Sequence, residues 1–168
     1  MSKKQICILC VLVVLILAAV IVAVCIRAGR EPQRIVGEFT PPPFAQNAED
    51  GAPDPGMVSA LMYGTLNLSE DISVSMLSEF TVTGSGEAEV WFTAPDTNRG
   101  WVMLRLLDAQ GNVLGETGLL KPGQYVRTMQ LDGVPQNSGI VLAKILTYEP
   151  ETYFSMGSAN AQVKLIVP

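Results

Sequence analysis

Apolar and polar positions divide the chain into two regimes. From Ile6 to Ile26 every position is apolar, with no charge, proline or glycine, while Lys3 and Lys4 precede the run and Arg27, Arg30 and Arg34 follow it. A soluble helix would show polar residues at a 3.6-residue period, and this run shows none. Wound as a helix it rises roughly 30 Å, the thickness of a bilayer's hydrocarbon core, and it satisfies its own backbone hydrogen bonds. The pattern predicts a transmembrane helix over 6–26.

From Met57 onward the pattern changes to short alternating segments separated by turn residues. Strands are predicted over 60–68, 72–77, 87–93, 101–108, 113–117, 125–131, 140–148 and 162–167. The clearest is 101–108, where Val102, Leu104 and Leu106 share one face and Trp101, Met103 and Arg105 the other. Asp108-Ala-Gln-Gly-Asn112 carries the chemistry of a tight return, with Gly111 free to take a positive φ. Lys121-Pro-Gly123 marks another turn. About eight short strands at this spacing, with no helical period between them, predict an all-β fold over 57–168: an Ig-like antiparallel β-sandwich.

Residues 27–56 read as a tether, because six prolines from Pro32 to Pro55 favour an extended spacer. Phe39 and Phe44 are unusual in such a stretch, and one of them is expected to pack on the domain. The apolar run is read as an uncleaved signal anchor behind a five-residue cytoplasmic tail. A cleaved signal is the alternative, but the run exceeds an ordinary signal core and no A-x-A site precedes Arg27. A lipoprotein signal ending at Cys25 is the third option, with Val24 standing where a small residue is wanted. The flanking charges do not decide orientation. The short tail and the long downstream domain place the domain outside the cytoplasm.

Charge and cysteine content sharpen this picture. The chain holds 16 acidic and 11 basic residues, a formal net charge of −5, and no histidine. Cys7, Cys10 and Cys25 are its three cysteines, all within the apolar run, so the domain must hold together without a disulfide. Cys7-x-x-Cys10 has a metal or redox spacing, but in a lipid-facing helix cysteine packs as a small apolar residue. Cys25 at the bilayer edge is a candidate for acylation. Ala19 and Ala23 form a small-xxx-small step through which two helices would pair as a homodimer.

The segments Phe39-Thr-Pro-Pro-Pro-Phe44, Leu106-Leu-Asp-Ala-Gln-Gly-Asn112, Gly115-Glu-Thr-Gly-Leu-Leu-Lys-Pro-Gly-Gln-Tyr-Val126 and Leu146-Thr-Tyr-Glu-Pro-Glu-Thr-Tyr-Phe-Ser155 resemble those of small single-anchor surface proteins of Gram-positive bacteria. The resemblance spans roughly 39–168. It implies a cell-surface location and a β-sandwich on a stalk, and it supplies no catalytic residues.

No catalytic motif appears. Without histidine there is no Ser-His-Asp or Cys-His set and no His-based zinc site. No serine has lysine three residues on, which removes the Ser-Lys type. Leu114-Gly-Glu-Thr-Gly118 departs from a sortase signal at Gly115 and lacks a following apolar tail. Glu87 with Glu89, and Glu149 with Glu151, read as solvated acids rather than a glycosidase pair. Asp96 with Asn98, and Asp108 with Asn112, read as turn-formers rather than calcium ligands. No cofactor or metal is called for. Nucleic acid is disfavoured, because acids outnumber the bases of the domain.

Surface recognition remains. Trp91, Trp101, Tyr148, Tyr153 and Phe154 are the candidate interaction surface, since aromatics anchor interfaces or stack on sugar rings. The alternation leaves open whether the tryptophans are buried. The sequence thus predicts a non-enzymatic interaction module, held in lipid through 6–26, whose partner is an envelope protein or a subunit of a larger membrane assembly. A carbohydrate- or peptidoglycan-binding module is the rival.

Overall fold

The computed structural model describes residues 39–54, 56–58, 62–133 and 135–167. The predicted cytoplasmic tail, the apolar run 6–26 with Ala19 and Ala23, all three cysteines and the predicted tether up to residue 38 lie outside them. Among the described residues no helix is long and apolar enough to cross a membrane. The chain divides into units Met1–Thr40 and Pro41–Pro168, and the second is described below.

That unit is all-β. Its strands are β1 (Glu49–Asp50), β2 (Tyr63–Asn67), β3 (Ser73–Leu77), β4 (Glu79–Val82), β5 (Glu87–Ala94), β6 (Trp101–Leu107), β7 (Val113–Glu116), β8 (Gln124–Gln130), β9 (Gly139–Tyr148) and β10 (Ser155–Ile166). They form one mixed sheet in the order β1-β8-β5-β4-β10-β9-β6-β7, with β2 on β3 and β3 also touching β5. The mixed character comes from β4, which runs parallel to β10 while the other pairs are antiparallel.

The sheet curls until its ends approach. Gly115 of β7 bridges Leu131, just beyond β8, and the Asp132 amide donates to Leu114 O at 2.8 Å. Period-two alternation explains the curl, because each strand turns its aliphatic face inward. Ala88, Val90, Phe92 and Ala94 of β5 meet Val102, Leu104 and Leu106 of β6 in the buried core, with Phe80, Ile145, Val163 and Leu165. Fully burying a side chain such as Phe92 contributes about 1.5–3 kcal/mol.

Two features escape the alternating pattern. Between β3 and β4 the chain changes partners at Ser78, whose amide donates to Met62 O while its carbonyl accepts from the Lys164 amide. Met103 and Leu119 are fully buried yet stand apart from the main core. Met103 shares the outward face of Trp101, beside Leu146 of β9.

The stretch from Pro43 to Gly51, read from its sequence as tether, is hydrogen-bonded to the domain. Phe44 bridges Leu119, the Leu119 amide donates to Pro43 O, the Ala45 amide donates to Leu119 O, and β1 pairs with Tyr125 and Gln124 of β8. This stretch, which contains one proline, is a strap with its own backbone partners. Gly118 permits this approach at φ 77°, since a Cβ there would lie 2.8 Å from the Ala45 amide nitrogen.

Candidate interaction surface

Four of the five predicted aromatics lie at one end of the β6–β9–β10 segment. Trp101 opens β6 and sits across from Tyr148, the last residue of β9. The loop that follows is held by its own bonds: the Tyr153 amide donates to Glu149 O, the Glu149 amide to Phe154 O, and the Thr152 hydroxyl to the Glu149 carboxylate at 2.6 Å. Glu151 and Tyr153 take positive φ values of 67° and 58°, a conformation that non-glycine residues seldom adopt. This geometry brings the Tyr153 ring to 5.1 Å from Trp101, edge to face at 66°. Phe154 projects outward and is 72% exposed.

Phe44 enters the same cluster from the strap. Its ring lies 4.8 Å from Trp101 at 73°, and Lys121 Nζ stands 5.0 Å above it. An exposed cation–π contact of this kind is worth about 0.5–1 kcal/mol. The rings therefore meet edge to face and form no flat platform. Arg105 and Glu116, an ion pair, mark the polar border of this outward face. Phe44 and Lys121 were not legible as members of the patch. The only sequence signal was an aromatic among prolines.

Trp91 is not part of this patch. It is 2% exposed and sits in a β-bulge, where β5 carries one residue more than β8 between Glu89 and Phe92. Its ring stacks on Tyr125 at 6.0 Å and 11°, Arg127 lies over it at 4.8 Å, and its Nε1 donates to Glu89 Oε1 at 2.7 Å. The indole is thus covered by neighbours of β5 and β8 and is unavailable to a partner. The Tyr125 hydroxyl donates to Glu49 at 2.6 Å, and this bond to a carboxylate raises the phenol's pKa above its ordinary value.

The acids and turn residues have local roles. Glu89 accepts from Trp91, and Glu149 accepts from Thr152. Asn98 is buried and mimics a strand: its Oδ1 accepts from the Ser73 amide and its Nδ2 donates to Ser73 O. Asp108 Oδ1 accepts from the amides of Gln110 and Asn112, and Oδ2 accepts from Asn112 Nδ2 at 2.8 Å. The Asn112 side chain is the main reason that Asp108 is held below the usual carboxylate range.

A cleft of about 410 Å³ opens beside Tyr63, Ser75, Thr93 and Asp96. Its hydroxyls are engaged. Tyr63 donates to Thr93 Oγ1 at 2.5 Å, Thr93 donates to Trp91 O at 3.3 Å, and the Ser75 and Thr65 hydroxyls are hydrogen-bonded to each other at 2.8 Å. Burial pushes the Tyr63 phenol's pKa up, so it stays a neutral donor near neutral pH. Bonded to one another, these hydroxyls form no nucleophile–base pair.

No family model matches the chain. No curated protein matches it either.

Proposed function

We propose that this chain is a single-pass membrane protein that displays an Ig-like β-sandwich at the cell surface as a non-enzymatic protein-interaction module. The anchor reading rests on the uncharged run 6–26, and the outward orientation on the short tail and the thiol-free acidic domain. The Ig-like reading draws support from the strand pairing: β3, β5 and β8 pair in one run, β10, β9, β6 and β7 in another, and β4 joins the two by pairing with β5 and running parallel to β10. The similarity to single-anchor surface proteins of Gram-positive bacteria points the same way.

The observation that carries the interaction reading is the surface cluster in which exposed Phe44 and Phe154 flank half-buried Trp101, Tyr148 and Tyr153. Edge-to-face rings with a protruding Phe154 suit insertion into a partner's pocket, whereas a glycan would want coplanar exposed rings. The partner is an envelope protein, including a subunit of a membrane assembly.

Photo-cross-linking from Phe154 in intact membranes, with the full chain, tests this. One discrete envelope protein should be captured, and Trp101→Ala should cut the yield by about tenfold, as expected of an interface anchor. Equal capture by Trp101→Ala, or robust hydrolysis of an envelope polymer by the purified chain, would overturn the reading. A bound glycan that Trp101→Ala releases would favour the carbohydrate rival.

A further inference from the structure

The edge of β10 is open along much of its length. Which of its amides point outward follows from two independent observations. Lys164 donates its amide to Ser78 O, so position 164 faces away from β9. On β6, Val102 exchanges both backbone bonds with Leu120, so positions 101, 103, 105 and 107 face β9 and meet its even-numbered residues. The odd-numbered residues of β9 therefore face β10, where they meet 157, 159, 161 and 163. Both routes turn the N–H and C=O of Ser158, Asn160 and Gln162 toward the open edge. Strand β4 covers this edge only from Lys164 to Ile166. Among the described residues nothing pairs with the rest.

Natural sheets guard such an edge with charge, proline, brevity or a bulge. From Met156 to Val163 there is no charged residue and no proline, and the one irregularity lies at the far end, between Ser155 and Gly157. Beside the edge runs a groove of about 140 Å³, with Gly64, Thr65 and Leu66 of β2 on one wall and Ala161 and Val163 on the other. A space near 150 Å³ holds one benzene-sized group. No charge lines it.

We propose that the β10 edge binds an extended, uncharged strand of a partner polypeptide, which adds to the sheet beside β10 and seats one apolar side chain between β2 and β10. Backbone bonds at alternate residues supply the affinity, and the groove selects the side chain. A second copy of this chain fits the edge less well. Paired antiparallel about Asn160, its residues 154–156 would fall opposite 164–166, where β4 already lies. A lone strand can stop short of that point. The site is separate from the aromatic patch and stands whether or not that patch binds anything.

The test uses the full chain in detergent and an array of short uncharged peptides, each with alternating threonines and one leucine, methionine or phenylalanine. N-methylated copies, which lack alternate backbone N–H groups, serve as controls. Binding should fall on the order of tenfold on N-methylation, the effect of losing one or two net hydrogen bonds. Gln162→Pro should abolish it while keeping the β9–β10 ladder, because the amide it removes faces the open edge. Leu66→Glu, which leaves β10 intact, should also abolish it by charging the groove. No binding by any peptide, equal binding of N-methylated copies, or full binding by Leu66→Glu would overturn the proposal. So would self-association that Gln162→Pro removes, which would make a second copy the occupant.

Discussion

Trp91 holds its backbone at φ 46°, in the left-handed region, which costs a bulky residue about 1–3 kcal/mol. The bulge persists because it delivers the indole to Tyr125, Arg127 and Glu89, where burial and stacking offset the strain. Trp91→Ala should therefore lower the unfolding free energy by about 3–5 kcal/mol in urea titrations. Glycine relieves the positive φ, so Trp91→Gly should be no worse than Trp91→Ala; a clearly less stable glycine variant would contradict the strain. Asp108 offers a separate check. Its folded pKa lies below the unfolded value, so its contribution to stability is present above ordinary carboxylate pH and is lost as pH falls through the folded value. In Asn112→Ala the Asp108 carboxyl, followed by NMR titration, should move up toward its ordinary pKa.

Elements in this fold are held by contacts between residues remote in sequence. The strap Pro43–Ala45 is fastened to 118–119, and Gly118 sits where a side chain would strike its backbone. Gly118→Ala combines that clash with a left-handed φ, itself worth about 1–2 kcal/mol. The variant should lose at least that much stability, and its strap should be cut near Ala45 by a protease that spares the wild type. Closure of the sheet depends likewise on Gly115, where a Cβ would lie 2.6 Å from Gln130 O. The alternating strands were legible because one face of each is aliphatic. β4 was not, being a short continuation of β3 that changes partners at Ser78. The first half of β10 was missed for another reason: Ser155 to Asn160 is largely exposed on both faces, so it carries no hydrophobic alternation.

For the molecule as a whole, every cysteine lies in the apolar run, so packing, hydrogen bonds and ion pairs hold the β-domain without a disulfide. Its unfolding midpoint should not change when a reducing agent is added; a drop would reveal a disulfide contribution that the domain's composition forbids. The curled sheet also distributes roles. One end carries the aromatic cluster, a side carries the open edge of β10, and the inside of the curl holds the core. Residues proposed to bind a partner are thus separable from those that support folding. Trp101→Ala should lose its partner while keeping most of its stability, and Trp91→Ala should lose stability first.

The two tryptophans show where reading the sequence ends. Alternation along β5 and β6 establishes that each strand has two unlike faces, and it places Trp91 and Trp101 both opposite the aliphatic one. It contains nothing about what covers the second face, since that depends on pairings such as β5 with β8 and on a strap fastened across more than seventy residues. The sequence by itself determined the apolar run, the alternating strands, the Asp108 turn and the missing catalytic sets, because each is a local property of composition or spacing. Only the tertiary structure decided that Trp91 is buried, that Phe44 joins Trp101, and that no described strand other than β9 pairs with β10 before Lys164, because burial and pairing are set by neighbours far away along the chain.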